Sequence, residues 1–238
     1  MNVEHHSITS ASGEYTREIQ LLRGPEPESH RLCLFLDGEH YWRDLDAIPI
    51  LADLRESGAL PPMTYLFVSH VSREARHDDY VCNDRYAKFI AVDVVQWAKE
   101  NIAGIRGEGI VICGLSLSGL AATHMALGYP EVFSHVLSQS GSYWWNKEWL
   151  ATNANPPAPV KARFWISVGD KETAVEVTHQ PTGLFQEVSQ ITGAENMARK
   201  LESLGGTVNY HLFDGHHAAA PWKAELAPAL KWLMENSD

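Results

Sequence analysis

A serine within a run of small residues is the side chain of this sequence best suited to covalent chemistry. Residues 114–119 are Gly-Leu-Ser-Leu-Ser-Gly, and they follow the apolar residues 110–113 and open the small-residue segment 119–126. A serine on a tight turn between a buried strand and a helix is held out as a nucleophile, and the amides that begin the helix can stabilise an oxyanion. We therefore predict that Ser116 is the nucleophile of a serine hydrolase.

The serine turn departs from the Gly-x-Ser-x-Gly pattern at one position. Ser118 stands where that pattern has its second glycine, and Gly119 follows it directly. A side chain at this position must fit where the strand and the helix come closest together. A glycine- and serine-rich turn without any chemistry would give a similar run, so the position between a strand and a helix is what favours the nucleophile.

A base and an acid are expected after later strands, in the chain order serine, acid, histidine. Two adjacent imidazoles, His216 and His217, follow the last predicted strand, and the residues alone leave either of them open as the general base. The loop after the strand at residues 164–168 carries Asp170 and Glu172, and either carboxylate could orient the imidazole. At least one of these acids must be an ordinary solvated side chain. His5, His6 and His135 are predicted at edge or surface positions.

An oxyanion hole needs two converging N–H groups. One is expected from Leu117, the residue after the nucleophile, and the other from Gly38 or Glu39, in the loop after the strand at residues 32–36. A glycine at position 38 would let the backbone approach the substrate closely. The chain has no Cys-x-x-Cys pair, so we predict neither a zinc site nor a cysteine nucleophile, and no metal or organic cofactor.

Apolar runs and helical repeats alternate along the chain, and this order predicts an α/β fold with a mostly parallel sheet and helices on both faces. Residues 7–10 and 14–22 predict an N-terminal antiparallel hairpin, residues 24–29 a turn, and residues 151–159 a surface loop. We expect one domain over residues 1–238. The predicted strands are 32–36, 63–68, 110–113, 132–139, 164–168 and 208–213, and the predicted helices are 47–55, 84–101, 116–127, 195–204 and 224–234.

Composition excludes several classes of partner. The formal net charge is -11 and no basic run occurs, so we expect neither a nucleic acid nor a membrane partner. We see no export signal at residues 1–10 and no apolar run long enough to span a bilayer. An odd number of cysteines, with Cys33 and Cys113 inside apolar runs, predicts reduced core thiols. The expectation is a soluble, cytoplasmic protein that acts on a small molecule.

Four segments, taken together, resemble the catalytic domain of the enterochelin (enterobactin) esterases, within the esterase D-like branch of the α/β hydrolases. They are residues 36–42 (LDGEHYW), residues 76–79 with 82–83, the serine turn, and residues 136–145 (VLSQSGSYWW). The resemblance extends over about residues 32–232, and the SQSGSYWW run is much more specific than the serine turn. It implies an α/β-hydrolase fold and hydrolysis of the ester bonds of a cyclic tri-serine catecholate siderophore, which can arrive carrying ferric iron.

The resemblance also implies roles for individual residues. It gives the triad Ser116, Glu172 and His217. Glu172 matches because the acid of that family lies three residues after the glycine that ends its strand, and His217 matches by counting from Asp214-Gly215 and from Trp222. Related single-domain trilactone hydrolases, counted back from Pro221, favour His216 instead. The aromatic run implied to stack on catechol rings, or else to pack as a lid, consists of Tyr143, Trp144 and Trp145.

Arg76 resembles a family arginine beside the nucleophile, which can assist the oxyanion or hold anionic catecholates. From the residues alone, an ion pair with Asp78 or Asp79 is an equal expectation. A ferric catecholate is an anion, so a chain of charge -11 must create a positive field locally, and the expected cations are Arg76, Lys147 and Arg43.

Three further expectations complete the reading of the sequence. The chain begins almost at the hydrolase domain, so we expect it to lack the N-terminal domain of the larger cytoplasmic esterases. A general acyl or aromatic-acyl esterase of the same branch is the alternative activity. A catalytically silent hydrolase-like binding protein is the alternative class, because Ser118 could have compromised the turn.

Overall fold

The computed structural model describes residues 3–24, 31–180 and 182–235, and it contains an eight-stranded sheet. The strand order across this sheet is β1-β2-β4-β3-β5-β6-β7-β10, and β8 and β9 form a separate two-stranded hairpin. Apart from Gly24, the predicted turn at residues 24–29 lies outside the described residues. The strands are Val3–Thr9 (β1), Thr16–Leu22 (β2), Arg31–Phe35 (β3), Met63–Val68 (β4), Ile110–Leu115 (β5), Phe133–Gln139 (β6), Arg163–Gly169 (β7), Val177–His179 (β8), Leu184–Gln186 (β9) and Thr207–Phe213 (β10).

The large sheet is parallel from β4 to β10, while β1 and β2 form an antiparallel hairpin at one edge. Every residue of β3, β4 and β5 is buried, as expected for strands covered on both faces. The predicted fold class, the mostly parallel sheet and the N-terminal hairpin are therefore confirmed.

Helices cover both faces of the sheet and divide the core into two clusters. The helices are Ala47–Glu56 (α1), Arg73–Tyr80 (α2), Asp84–Lys88 (α3), Val95–Asn101 (α4), Leu117–Gly128 (α5), Trp145–Asn153 (α6), Gln190–Ser203 (α7) and Ala219–Met234 (α8), with π-helical turns at His40–Asp44 and Phe89–Val94. Because side chains alternate along a strand, Leu32 and Leu34 of β3 join the cluster under α5 and α7, while Cys33 and Phe35 join the cluster under α1 and α8. Among the described residues, no helix is both long and apolar enough to cross a membrane.

Two helices begin earlier than predicted. The side chain of Ser189 caps α7 by accepting a hydrogen bond from the Thr192 amide, so this helix begins at Gln190 and not at residue 195. Helix α8 begins at Ala219 and not at residue 224. Pro221 is compatible with this earlier start, because it lies in the first turn, where no amide donor is needed.

Four elements had no prediction, and one histidine was placed wrongly. Helix α2 is mostly charged and lacks an apolar repeat, α6 contains a left-handed turn at residues 146–148, and β8 and β9 are only three residues long. His135 is only 6% exposed on the central strand β6, not at an edge, and burial lowers its pKa to about 4. Helix α2 and the β8–β9 hairpin both line the cleft described below.

Candidate active site

Ser116 lies at the junction between β5 and α5 in a strained backbone conformation, with φ 54° and ψ −122°. Two glycines make this turn possible. A Cβ on Gly114 would lie 2.1 Å from the Ser118 carbonyl oxygen, and a Cβ on Gly119 would lie 2.7 Å from the Ser138 hydroxyl. This strand-to-helix turn is the context that a nucleophilic serine requires.

Ser118, the departure from the glycine pattern, is accommodated by the turn itself. Its hydroxyl accepts a hydrogen bond from the Leu115 amide at 2.9 Å and donates one to the Leu115 carbonyl oxygen at 2.8 Å. The side chain is fully buried. Because the hydroxyl is satisfied by the backbone of the same turn, a serine fits at this position without displacing Ser116.

A continuous chain of hydrogen bonds joins three side chains from three strand ends. His217 Nε2 lies 3.0 Å from Ser116 Oγ, and His217 Nδ1 lies 2.6 Å from Glu172 Oε2. Ser116 follows β5, Glu172 follows β7 and His217 follows β10, so the parallel strands bring all three to the same edge of the sheet. The arrangement can pass a proton from a hydroxyl to an imidazole whose other nitrogen faces a carboxylate.

The structure places the alternative candidates for the base and for the acid at different distances from Ser116. Asp170 is exposed, and its Oδ1 accepts a hydrogen bond from the Gly215 amide at 2.9 Å, so it fixes the loop that carries the histidines. His216 is exposed and lines the larger of two cavities described below, while His217 forms a hydrogen bond with Ser116. The geometry therefore brings His217 and Glu172 to Ser116, and it leaves Asp170 and His216 at the periphery.

Two residues to which the sequence analysis assigned no role, Ser140 and Trp222, contact Glu172 and His217. Ser140, at the end of β6, donates a hydrogen bond to Glu172 Oε1 at 2.6 Å and accepts one from Trp222 Nε1 at 3.0 Å. The Gly169 amide also donates to Glu172 Oε1, at 2.8 Å. The Trp222 ring lies nearly perpendicular to the His217 ring, with their centroids 4.8 Å apart. The SQSGSYWW run contains Ser140, but only the fold shows what this residue contacts.

A layer of buried polar side chains lies next to these residues. Gln139 Nε2 donates to Glu225 Oε1 and to the Trp222 carbonyl oxygen, both at 2.8 Å, and Gln139 Oε1 accepts from Tyr41 at 3.0 Å. Ser167 donates to Glu225 Oε1 at 2.5 Å. Burial raises the pKa of Glu225 to about 7, although these hydrogen bonds favour the carboxylate. This layer ties α8, and with it the Trp222 backbone, to the sheet.

The three residues predicted for the oxyanion hole are in different situations. Leu117 is the first residue of α5, so its amide has no hydrogen-bond partner within the helix. The residue lines the larger of the two cavities described below. Glu39 instead directs its carboxylate to Ser69, and neither Gly38 nor Glu39 lines either of the two cavities beside Ser116. A Cβ on Gly38 would lie 2.7 Å from the Phe67 backbone, so the absence of a side chain at this position makes room for β4.

Arg76 forms an ion pair, but with neither Asp78 nor Asp79. Its Nε and Nη2 donate to the two carboxylate oxygens of Asp37, at 2.8 and 2.7 Å, and Asp37 is fully buried. Asp79 pairs with Arg17. Burial opposes the charge on Asp37, but the contacts with His70 and Arg76 outweigh it and lower its pKa to about 2.

A cluster of possible metal donors lies beside this ion pair. Asp37, His40 and His70 each place one ligand atom within 4.8 Å of the others. His70 Nδ1 is 3.3 Å from Asp37 and 3.1 Å from Glu39, and these carboxylates raise the pKa of His70 to about 9. A metal ion here would have to displace Arg76 from Asp37 and the proton from the His70 imidazole, so these three residues do not fit a metal ion in their present state.

The cleft above Ser116 has two lobes. The larger lobe is a cavity of about 540 Å³ between α2 and the β8–β9 hairpin, and the smaller lobe is a cavity of about 360 Å³ between the first π-helical turn and α8. Four residues line both lobes, which places them where the two meet: Arg73, Arg76, Ser116 and His217. A substrate bound across Ser116 can therefore extend in two directions.

Only one of the three predicted aromatic residues lines the cleft. Tyr143 is 1% exposed and its hydroxyl bonds Thr123 and Ser138, so the prediction that it binds substrate was wrong. Trp145 is also outside both lobes, because it packs against the core and against Trp149. Trp144 does line the larger lobe, where its ring stacks on that of His179 at 4.8 Å.

The cations around the cleft differ from those predicted. Arg43 and Lys147 are exposed and line neither lobe, so the expectation that they supply the local field was wrong. The Lys and Arg residues of the larger lobe are Arg73, Arg76 and Lys171, and they face one acidic lining residue, Glu172.

Comparison with known proteins gives the family. The family model named Esterase matches residues 10–233, which is most of the chain. The chain belongs to the Esterase family. This membership confirms the family resemblance found in the sequence and the prediction that the chain is a carboxylic ester hydrolase.

Curated relatives of this Esterase-family chain are larger proteins. It is 26% identical over 222 residues to the Iron(III) enterobactin esterase of Dickeya dadantii, covering 90% of this chain and 50% of that protein. It is 33% identical over 120 residues to the Iron(III) enterobactin esterase of Escherichia coli K12, covering 50% of this chain and 30% of that protein. The chain spans about half the length, or less, of these relatives.

Solved structures share the fold of this Esterase-family chain. The enterobactin esterase of Shigella flexneri, crystallised in the presence of enterobactin, superposes with a TM-score of 0.82 at 24% identity, covering 98% of this chain and 59% of that one. The BES protein of Bacillus cereus superposes with a TM-score of 0.76 at 16% identity, covering 98% and 96%. These similarities confirm the α/β-hydrolase fold.

Proposed function

We propose that this protein is a serine esterase in which Ser116 is the nucleophile, His217 the general base and Glu172 the residue that orients the base. The observation that carries the proposal is the unbroken path of hydrogen bonds from Glu172 Oε2 through the imidazole to Ser116 Oγ, at 2.6 and 3.0 Å. The strained turn that presents Ser116 supports it, as does membership of the Esterase family.

The reaction follows from these positions in two half-reactions. His217 Nε2 takes the proton of Ser116 as Oγ attacks the ester carbonyl, and the resulting imidazolium is stabilised by Glu172. The same proton then passes to the alcohol oxygen as the ester C–O bond breaks, which leaves an acyl-enzyme. Water, deprotonated by His217, attacks the acyl carbon, and the imidazolium then returns this proton to Ser116 Oγ as the bond between Oγ and the acyl carbon breaks, which releases the acid and the free Ser116 hydroxyl.

The tetrahedral oxyanion requires donors beside Ser116 Oγ. We assign the first to the Leu117 amide at the start of α5 and the second to the Gly38 amide. The loop that carries Gly38 is held by Asp37, whose amide donates to the Tyr80 hydroxyl at 3.0 Å and whose carboxylate binds Arg76. In this proposal Arg76 positions the loop and contributes to the field at the carbonyl.

The substrate we propose is a catecholate siderophore trilactone, with any iron arriving bound to it. Two curated relatives carry the name Iron(III) enterobactin esterase, which supports this class of ester. The two-lobed cleft supports a substrate that extends on both sides of the scissile bond. Three Lys or Arg side chains and one acid line the larger lobe, and because two of these cations are already paired, the third supports an anionic substrate.

The test compares a catecholate trilactone with 4-nitrophenyl acetate as substrates for the wild-type chain. We expect turnover of both, with the higher kcat/KM on the trilactone. The reverse preference would replace the siderophore with simple or aromatic acyl esters. Ser116→Ala should lower kcat by about 10⁴-fold or more on either substrate.

Two controls address the remaining alternatives. His217→Ala should lose activity as Ser116→Ala does, while His216→Ala should retain most of it; the opposite result would make His216 the base. A fluorophosphonate probe should label the wild type and not Ser116→Ala. A folded wild type that is neither labelled nor active would instead be a catalytically silent binding protein.

A further inference from the structure

The two arginines that line both lobes differ in what already holds them. Arg76 donates two hydrogen bonds to the carboxylate of Asp37, which is fully buried, so its charge is compensated within the protein. Arg73 lies one turn earlier on α2 and is exposed. Across residues 3–24, 31–180 and 182–235, Arg76 has a carboxylate partner in an ion pair, and Arg73 has none.

No other charged group of the described residues forms an ion pair with Arg73. Glu74 is exposed, and a backbone hydrogen bond and the Ser72 side chain lower the pKa of its carboxylate more than the neighbouring Arg73 charge does. Lys171, the third cation of the larger lobe, is paired with Asp214 at 2.6 Å. His77, one turn after Arg73 on the same face of α2, also lines the larger lobe. Of the two arginines at the junction of the lobes, Arg73 is therefore the one without an ion-pair partner among the described residues.

We infer that Arg73 binds anionic oxygen atoms of the substrate where the two lobes meet, beside Ser116. The inference rests on the proposed function, because it names the residue that selects an anionic ester at the same site. The ligand chemistry is that of a catecholate oxygen, which a guanidinium binds through charge-assisted N–H groups. Arg73 is a specificity residue in this account and takes no part in the proton transfers.

The test uses two trilactones that differ in whether their ring oxygens can carry charge: one has catechol rings, and the other has 2,3-dimethoxybenzoyl rings, which cannot ionise. Both are assayed at a pH at which the catechol is ionised. The ratio of kcat/KM for the catechol substrate over the dimethoxy substrate should fall about three- to tenfold in Arg73→Gln, mainly through KM. Arg73→Lys keeps the charge and should restore most of the ratio. Added salt should raise KM for the catechol substrate in the wild type more than in Arg73→Gln.

Arg199→Gln is the matched control, because Arg199 is an exposed arginine on α7 that pairs with Glu195 and lines neither lobe. It should keep the wild-type ratio. An Arg73→Gln protein that melts at the wild-type temperature and keeps the wild-type ratio overturns the inference. An equal loss on both substrates also overturns it, because Arg73 would then serve the ester chemistry and not the anion.

A binding experiment separates this inference from the proposed function. Catechol trilactone is titrated into Ser116→Ala and into Ser116→Ala combined with Arg73→Gln, and binding is followed by tryptophan fluorescence. The double variant should bind about three- to tenfold more weakly. If the wild type hydrolyses neither trilactone but this difference in Kd is present, the proposed function fails and the role of Arg73 stands; if the two Kd values agree, the role of Arg73 fails.

Discussion

Replacing Glu172 by glutamine is a demanding test of the triad, because the structure predicts how the new amide will lie. Oε1 of Glu172 accepts hydrogen bonds from the Gly169 amide and the Ser140 hydroxyl, and Oε2 faces His217 Nδ1. The glutamine carbonyl oxygen must therefore take the Oε1 position to satisfy two donors, and its NH₂ group must face the imidazole. Nδ1 then becomes an acceptor, and Nε2 carries the proton.

This tautomer is the wrong one for a base. A protonated Nε2 directs its hydrogen at Ser116 Oγ, 3.0 Å away, and cannot take the hydroxyl proton. The same change of tautomer in a serine hydrolase costs about 10⁴-fold in kcat, so we expect a loss of about 10³- to 10⁴-fold for Glu172→Gln. That loss corresponds to about 4 to 5 kcal/mol of transition-state stabilisation.

Glu172→Ala should be less damaging than Glu172→Gln, although it removes more atoms. His217 is 40% exposed, so water can accept the Nδ1 proton in the alanine variant and the productive tautomer stays accessible. The assay is kcat and KM on 4-nitrophenyl acetate, with the melting temperature recorded for each variant. Asp170→Asn is the control and should keep activity within about tenfold, because Asp170 contacts the loop and not the imidazole.

Three results would refute this reasoning. Glu172→Gln could retain activity within tenfold of the wild type while folded, which would remove Glu172 from the triad. Glu172→Ala could be the weaker enzyme, which would mean that the charge matters and the tautomer does not. Asp170→Asn could match the loss in Glu172→Gln, which would make Asp170 the acid.

Three further substitutions test the packing around the site. As the pH rises from 4.5 to 7, the wild type should lose about 3 kcal/mol of unfolding free energy, because the folded state holds a proton on Glu225 that the unfolded chain releases. Glu225→Gln should abolish this loss. Urea unfolding at several pH values measures it, and parallel pH dependences for the two proteins would contradict it. Arg76→Gln should lower the free energy of unfolding by about 3 kcal/mol or more, because it leaves Asp37 buried and unpaired, and adding Asp37→Asn should recover part of this loss. Ser118→Ala should cost about 1 to 2 kcal/mol, because the Leu115 amide and carbonyl lose their partner, and an unchanged melting temperature in calorimetry would show that these bonds contribute nothing.

The sequence predicted the central fold well because buried parallel strands are short apolar runs between helical repeats. Strand β4 was predicted with its observed bounds, and the order of strands and helices was sufficient to give the class. The prediction failed where the local signal is absent. Helix α2 consists mainly of charged residues, and β8 and β9 are too short to show an alternating pattern, yet these elements form the wall of the larger lobe.

The aromatic run shows the opposite limit, in which a strong local signal did not give the role. Tyr143, Trp144 and Trp145 are adjacent and all aromatic, so the sequence treats them as equivalent. Successive side chains point in different directions once the backbone is fixed, and only Trp144 faces the cleft while its neighbours pack into the core. Arg73 and Arg76 are a similar case, because only the buried carboxylate of Asp37 distinguishes them.

By itself, then, the sequence determined the α/β-hydrolase fold and the serine turn, and its resemblance to a known family named Glu172 and His217. These depend on spacing along the chain, and a strand, a glycine and a helix that follow one another are joined by covalent geometry. The choice between adjacent candidates, His216 against His217 and Asp170 against Glu172, depends on the direction in which each side chain leaves its loop. That direction is set by contacts between parts of the chain that are distant in sequence, such as those of Glu172 with Ser140, 32 residues earlier, and with His217, 45 residues later. Only the tertiary structure could therefore show which of these side chains lie beside Ser116.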